Sequence, residues 1–182
     1  MPRAESPRGK PREARGVCKT LIALKAAGPE DEAIVLSLRN DPEIRRWFFN
    51  PDPVAPEAHA RWYQETLTGL SRRLYLIMKK GTEAPIGYVR FDRTAPDVAE
   101  ISVAISPSHR GRGYAQAALV DACRRFREPG EIRRMVARVL TENEASMKAF
   151  RSAGFVPVST GSMNGRAVSV LELSDPASYF NS

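Results

Sequence analysis

The sequence predicts an α/β (α+β) fold in which a mostly antiparallel β-sheet is flanked by helices. Several segments alternate apolar and polar residues, which is the period of a half-buried strand. Other segments carry apolar residues at helical spacing behind Gly, Pro or Thr start signals. At 106–119, SPSHRGRGYAQAAL, an alternating strand passes into a helix through two glycines and two interleaved arginines.

The length of 182 residues suits one domain with a basic tail. Residues 1–16 hold five basic and two acidic residues, so they supply +3 of the net charge of +7. Their Pro and Gly content predicts a disordered, solvated tail ahead of a single domain over 17–182. A basic tail can also touch nucleic acid or anionic lipid, but we expect neither nucleic acid nor a membrane as a partner.

The two cysteines, Cys18 and Cys123, lie far apart and form no C-x-x-C pair. We therefore expect no metal site and no disulfide framework. A reducing, cytoplasmic setting is the simplest interpretation. The sequence has no apolar run of the roughly 20 residues that a membrane span needs.

The first third of the chain predicts a strand followed by helices. Residues 17–27 alternate as a strand, and 28–41 form a helix that Gly28 caps and that ends near Arg39. Residues 42–50 are a short aromatic segment. A further helix is predicted over 56–69.

Three strand candidates follow, at 72–80, 84–93 and 98–106, and the turns between them indicate an antiparallel meander. In the last of them Ile101 shares a face with Val103 and Ile105, and Glu100 shares the other face with Ser102 and Ala104.

The last third predicts two helices and three strands. A helix runs to Arg127, and a fifth strand covers 133–140. The helix over 141–155 has Thr141 and Glu144 as a capping box and stops at Gly154. The final hairpin over 156–173 turns at Asn164–Gly165.

The Gly-rich junction predicts a phosphate site. A helix N-terminus carries unpaired N–H groups and a partial positive charge of about +0.5. Gly111 and Gly113 would let a bulky phosphate approach this backbone, and Arg110 and Arg112 add positive charge. The loop lacks the Gly-Lys-Ser/Thr of a Walker A motif, and Gln116 replaces the third glycine of a dinucleotide fingerprint.

The segment Arg110–Ala115, RGRGYA, resembles the Q/R-x-x-G-x-G/A signature of the GNAT superfamily of N-acetyltransferases. Residues 143–155, NEASMKAFRSAGF, are similar to the second signature helix of that family. The resemblance implies a mixed, mostly antiparallel, seven-stranded sheet that is splayed between its fourth and fifth strands. It implies acetyl-CoA as the co-substrate, and it assigns cofactor contacts to Val103, Ala104, Ile105, Arg110, Gly111, Arg112, Gly113, Tyr114, Ala115 and Asn143.

The same resemblance suggests the catalytic groups. Glu100 is the candidate general base, ahead of Asp92 and Asp97, and backbone N–H groups at Val103 or Ala104 would serve the carbonyl oxygen. Many relatives carry a Tyr where this chain has Phe150, which cannot donate a proton. Ser146 or water is the expected proton donor in its place.

The region ahead of the meander is expected to receive the acceptor. It resembles the branch that acetylates amino groups of nucleotide-linked amino sugars, and it offers Arg39, Asn40, Trp47, Phe48 and His59 as contacts. For Trp47 the alternative to acceptor binding is packing in the core, and for His59 it is a position on the surface of a helix. We expect an N-acetyltransferase for a small amine, monomeric or homodimeric; the alternatives are a protein or polyamine acetyltransferase and a non-catalytic acyl-CoA sensor.

Overall fold

The computed structural model describes residues 21–127 and 132–174. The predicted tail, Cys18 and the first residues of the first predicted strand lie outside this part of the chain. The strands are β1 Ile22–Ala26, β2 Arg72–Lys79, β3 Gly87–Ala95, β4 Val98–Ile105, β5 Arg134–Leu140, β6 Val156–Met163 and β7 Arg166–Ser174. The helices are α1 Glu32–Asn40, α2 Pro42–Arg45, α3 Pro56–Thr68, α4 Tyr114–Arg127 and α5 Glu144–Ser152, with 3₁₀ turns at Pro29–Asp31 and Pro107–His109.

The seven strands form one sheet in the order β1-β2-β3-β4-β5-β7-β6. All neighbours are antiparallel except β4 and β5, which are parallel. The parallel pairing of β4 with β5 extends only from Val98↔Arg134 to Glu100↔Val136. Past Glu100 the two strands separate, so the sheet has the predicted splay between its fourth and fifth strands.

The strand alternation divides the core into two layers, one on each face of the sheet. On one face α4 and α5 cover Phe91, Ile101 and their neighbours. On the other face α1, α2 and α3 cover a smaller cluster that includes Tyr88 and Ala104. One face of α4 is buried against the sheet, and its central residues are at most 1% exposed: Ala118, Leu119, Ala122 and Cys123.

The predicted capping box of the last helix is wrong. The helix α5 begins at Glu144, and its N-cap is Asn143, whose side chain accepts a hydrogen bond of 3.1 Å from the Ser146 N–H. Thr141 still belongs to the turn that leaves β5, and its hydroxyl lies 3.0 Å from that of Ser169 on β7. The predicted stop at Gly154 is confirmed by its φ of 96°.

The β6–β7 turn falls where the sequence predicts it. Asn164 has a φ of 50° and Gly165 a φ of 74°, the left-handed pair that a two-residue hairpin turn requires. Among the described helices, none is long and apolar enough to cross a membrane.

Candidate active site

The junction between β4 and α4 presents backbone to open space. Gly111 and Gly113 have φ values of 73° and 77°, a region that glycine adopts without steric cost. The Gly113 carbonyl accepts from the Ala117 N–H at 3.1 Å, so the helix starts directly after this residue. A Cβ at either glycine would meet nothing within 4 Å. A phosphate group therefore has room to reach the N–H groups of the first helical turn.

The residues around these glycines divide their roles between backbone and side chain. Tyr114 is 6% exposed and packs its ring in the core, so its contribution to the loop is its backbone at the helix start. Ala115 is half-buried in the first turn. The Arg112 side chain is exposed beside the glycines and is free to supply positive charge to an anion.

The Arg110 side chain is not the free positive charge that the sequence suggests. Its Nε donates to the Ile105 carbonyl at 3.2 Å, and its Nη2 donates to the Glu43 carbonyl at 2.9 Å. The Glu43 carboxylate lies 3.9 Å away. Arg110 therefore fastens the loop to α2, and this correction could not come from local sequence because Glu43 is 67 residues away.

The edge of β4 that faces β5 is open beyond Glu100. Val103, Ala104 and Ile105 pair with β3 on one side, but β5 has already diverged on the other. Successive residues of a strand point their backbone groups to alternate sides, so this edge offers hydrogen-bonding groups toward the split. An extended chain bearing amides can pair with such an edge as an added strand does.

Glu100 is the last residue of β4 that pairs with β5, and the split begins there. Its Oε2 is 2.5 Å from Nη1 of Arg138, which lies two residues past Val136 on β5. Asp92, directly opposite Glu100 on β3, is held by Arg72 and Arg90. Asp97 is exposed in the turn between β3 and β4, at the other end of β4 from the glycines. Of the three predicted carboxylates, Glu100 is the one placed at the split.

The helix α5 supplies the remaining catalytic candidates. Asn143 uses its side-chain oxygen as the cap, and Ser146 is half-buried in the first turn. Phe150 is 2% exposed and meets Phe155 edge to face, with ring centroids 5.1 Å apart. Phe150 is therefore a core residue.

Residues 43–49 form a strap over the open end of the split. Arg110, beyond β4, holds the strap at the Glu43 carbonyl. Arg166, at the start of β7, holds its other end by donating to the carbonyls of Arg46 and Phe48 at 3.0 and 3.1 Å. The sequence gives no signal for this role of Arg166, because its partners lie 120 and 118 residues away.

Two of the predicted acceptor contacts are engaged within the protein. The Asn40 amide forms bonds of 2.8 Å to both the N–H and the carbonyl of Val54, so it holds the Pro-rich loop and is not a free acceptor contact. Trp47 is half-buried, and the Arg46 guanidinium lies 4.7 Å over its ring.

The remaining acceptor candidates meet between α1, α3 and β3. The Arg39 guanidinium lies 4.4 Å over the Phe48 ring, and burial lowers its pKa. His59 is 2% exposed, which makes it a buried residue and not a surface one. Its ring centroid lies 5.4 Å from that of Trp62 and 5.6 Å from that of Tyr63.

Comparison with solved structures supports the fold. A spermidine N-acetyltransferase from Vibrio cholerae, in complex with CoA and spermine, aligns with a TM-score of 0.78 at 19% identity, covering 88% of this chain and 99% of that one. The ribosomal L7/L12 α-N-protein acetyltransferase RimL, in complex with coenzyme A, aligns at 0.75 and 20%, covering 87% and 96%. AAC(6')-Ib with paromomycin and acetyl-CoA aligns at 0.75 and 18%, covering 88% and 97%.

Sequence comparison identifies the family. No curated protein matches the sequence significantly. The family model of the acetyltransferase (GNAT) domain matches residues 22–156, well over half of the chain. The described glycine loop, the helix start and the split sheet all fall inside that match. The protein belongs to the GNAT acetyltransferase family, the acyl-CoA-dependent N-acetyltransferases that use acetyl-CoA as co-substrate.

Proposed function

We propose that the protein transfers an acetyl group from acetyl-CoA directly to the primary amine of a small acceptor, an amino sugar or a nucleotide-linked amino sugar. The observation that carries this proposal is the position of Glu100. It stands where β4 and β5 part, and strand alternation gives it the same face as Ala104, which packs under α1 and α3. A carboxylate thus lies at the apex of the split on the side of the strap.

The residues divide the chemistry between them. Bound acetyl-CoA supplies a thioester whose carbonyl carbon the amine attacks, and the CoA thiolate is the leaving group. The Val103 N–H at the open edge of β4 is suited to donate to the carbonyl oxygen. The Ser106 N–H donates to the Ile86 carbonyl beside β3, and alternation turns the Ala104 N–H to that same side, away from the split. Glu100 takes the proton of the amine, directly or through water, and Ser146 or water returns a proton to the sulfur.

The cofactor contacts follow from the loop geometry. The backbone from Gly111 to Ala115 and the exposed Arg112 hold the diphosphate of CoA. The edge from Val103 to Ile105 holds its amide-bearing arm. Asn143 contacts the cofactor near α5 while its oxygen caps the helix, since its amide nitrogen is not needed for the cap.

The acceptor region favours a ring-shaped molecule. Trp47, Phe48 and Trp62 are each half-buried, and an arginine guanidinium lies over one face of each ring. The other face of such a ring suits the apolar face of a sugar or a nucleobase. The strap, fastened at both ends, limits the space above the split and favours a compact acceptor.

The test is a coupled assay for released CoA against amino sugars, nucleotide-linked amino sugars, polyamines and peptides. We expect acetyl transfer to the amino sugars and mass-spectrometric detection of the N-acetyl product. Activity confined to polyamines or peptides would overturn the sugar proposal and leave amine acetylation intact. CoA binding with no transfer to any amine would favour the sensor alternative.

A further inference from the structure

Three side chains hold all the buried side-chain nitrogens that make no hydrogen bond in the part of the chain that the structure describes. These atoms are Nη1 of Arg39, both ring nitrogens of His59, and Nε of Arg90. Arg39 lies on α1, His59 on α3 and Arg90 on β3. We call these three residues the donor cluster. Buried polar groups are ordinarily paired, so their concentration in one place calls for a partner.

The donor cluster lies in one layer of the core. Trp62 joins two of its members, since its ring lies 5.4 Å from the His59 ring and 5.8 Å from the Arg90 guanidinium carbon. Arg39 belongs to the same layer through Phe48, whose ring lies 4.4 Å from the Arg39 guanidinium carbon. Phe48 and Trp62 both pack against the buried group that includes Tyr88.

Positive charge in the cluster is only partly neutralised. Nε of Arg90 lies 2.7 Å from Asp92 Oδ2, an ion pair whose angle is too poor for a hydrogen bond, and Asp92 is shared with Arg72. Arg39 donates to the Asn50 carbonyl at 3.0 Å, and among the described residues it has no carboxylate in salt-bridge contact. Unsatisfied donors beside uncompensated charge are best paired by an anion with several acceptor oxygens.

We propose that the donor cluster is an oxyanion subsite that recognises a phosphate or carboxylate carried by the acceptor amine. This inference rests on the proposed function and narrows its acceptor to anionic amines. Phe48 stacks on Arg39 and Trp62 on Arg90, and both rings are half-buried, so an anion would reach the two guanidinium groups past these rings. The Arg39 and Arg90 forks bind the oxygens, and the neutral imidazole of His59 adds one further donor.

The register of the sheet sets the length of the acceptor. Arg90 lies directly opposite Ser102, and Tyr88 lies opposite Ala104, on the strand whose free edge faces the split. Neighbouring strands are about 4.8 Å apart, so the oxyanion and the reacting nitrogen should be separated by one to two such spacings, about 5–10 Å. A phosphate and an amine on opposite sides of one sugar ring satisfy this distance.

Binding of amine-free probes tests the subsite without relying on turnover. Glucose 1-phosphate, glucuronate and glucose would each be titrated by calorimetry into the CoA-bound protein at fixed ionic strength. We expect the phosphate or the carboxylate to bind, glucose not to bind, and Arg39→Gln to weaken anion binding by at least about tenfold, because a paired charge in a covered site is poorly screened. The two anionic arms show which oxyanion the site prefers.

Arg61→Gln is the matched control. Arg61 is exposed on α3, next to Trp62, and its substitution removes the same charge from the same region without touching the donor cluster. Equal weakening by the two variants, or no binding of either anion by the wild type, would overturn the subsite. Thermal unfolding of both variants checks that each is folded.

Turnover separates this inference from the proposed function. In the wild type, glucosamine 6-phosphate should have a KM at least about tenfold below that of glucosamine, and Arg39→Gln should remove the difference by raising only the KM for the phosphate. Amines acetylated without this preference would refute the subsite and leave the proposed function standing. Arg39-dependent anion binding with no acetylation of any amine would refute the proposed function and leave the subsite standing.

Discussion

Replacing Gly113 by alanine tests the phosphate loop. Gly113 has a φ of 77°, and its missing Cβ would face open space at the N-terminus of α4. Left-handed geometry costs a non-glycine residue roughly 1–2 kcal/mol, so Gly113→Ala should lower the free energy of unfolding by about that amount. The new methyl group would also stand where a diphosphate must approach. Gly165→Ala is the matched control, because Gly165 has a φ of 74°, equally open surroundings and a place in the β6–β7 turn.

Two measurements on each variant separate strain from binding. Urea unfolding should show similar losses of stability for Gly113→Ala and Gly165→Ala. Calorimetry with CoA should show an affinity loss of about tenfold or more, which is about 1.4 kcal/mol, for Gly113→Ala alone. If Gly113→Ala binds CoA as tightly as Gly165→Ala does, the loop does not hold the diphosphate.

Three further predictions concern individual side chains. Glu100→Gln should lower turnover by about 10²-fold or more with CoA affinity unchanged. Glu172→Gln, which removes another carboxylate of the sheet, 3.6 Å from Arg134, should retain turnover. Equal kinetics of the two variants would return Glu100 to a structural role in its ion pair with Arg138. Asn143→Ala should lose about 1 kcal/mol of unfolding free energy in urea and Asn143→Ser should lose much less, since serine also caps; equal losses would contradict the cap. Burial lowers the pKa of His59 in the folded protein. As the pH falls below the unfolded-state value of about 6.5, the unfolded chain therefore takes up the proton before the folded protein does. The free energy of unfolding should then decrease by up to about 1.4 kcal/mol per pH unit. His59→Gln should remove this part of the pH dependence of urea unfolding, and an unchanged slope would contradict it.

The fold was largely predictable because its signals are local. Alternation located the strands, and the Asn164–Gly165 pair located the hairpin turn, since the positive φ values there follow from residue type. The cap of α5 was not predictable in the same way. Thr141 and Asn143 are both acceptable caps, and the choice depends on where β5 ends and on the bond from Thr141 to Ser169, a residue 28 positions away.

The cofactor half of the site was more accessible to sequence reasoning than the acceptor half. Gly111 and Gly113 mark a backbone that needs only one residue type at a fixed spacing, directly before a helix. The roles of Arg110, Arg166 and Asn40 depend on carbonyls and N–H groups of distant segments. The sequence alone does not show whether an arginine binds a substrate or holds a loop in place.

This contrast has a physical origin in how each half recognises its ligand. Backbone N–H groups at a helix start and a free strand edge bind diphosphate and amide groups whatever the side chains, so one pattern serves many acceptors. Recognition of the acceptor depends on side chains, and their availability is decided by which neighbours already engage them. Arg46 and Arg110 are partly engaged by Glu43, whereas Arg39 has a carbonyl and an aromatic ring as partners. Only the packed structure distinguishes these arginines, and among the three it leaves Arg39 without a carboxylate within salt-bridge distance in the described part of the chain.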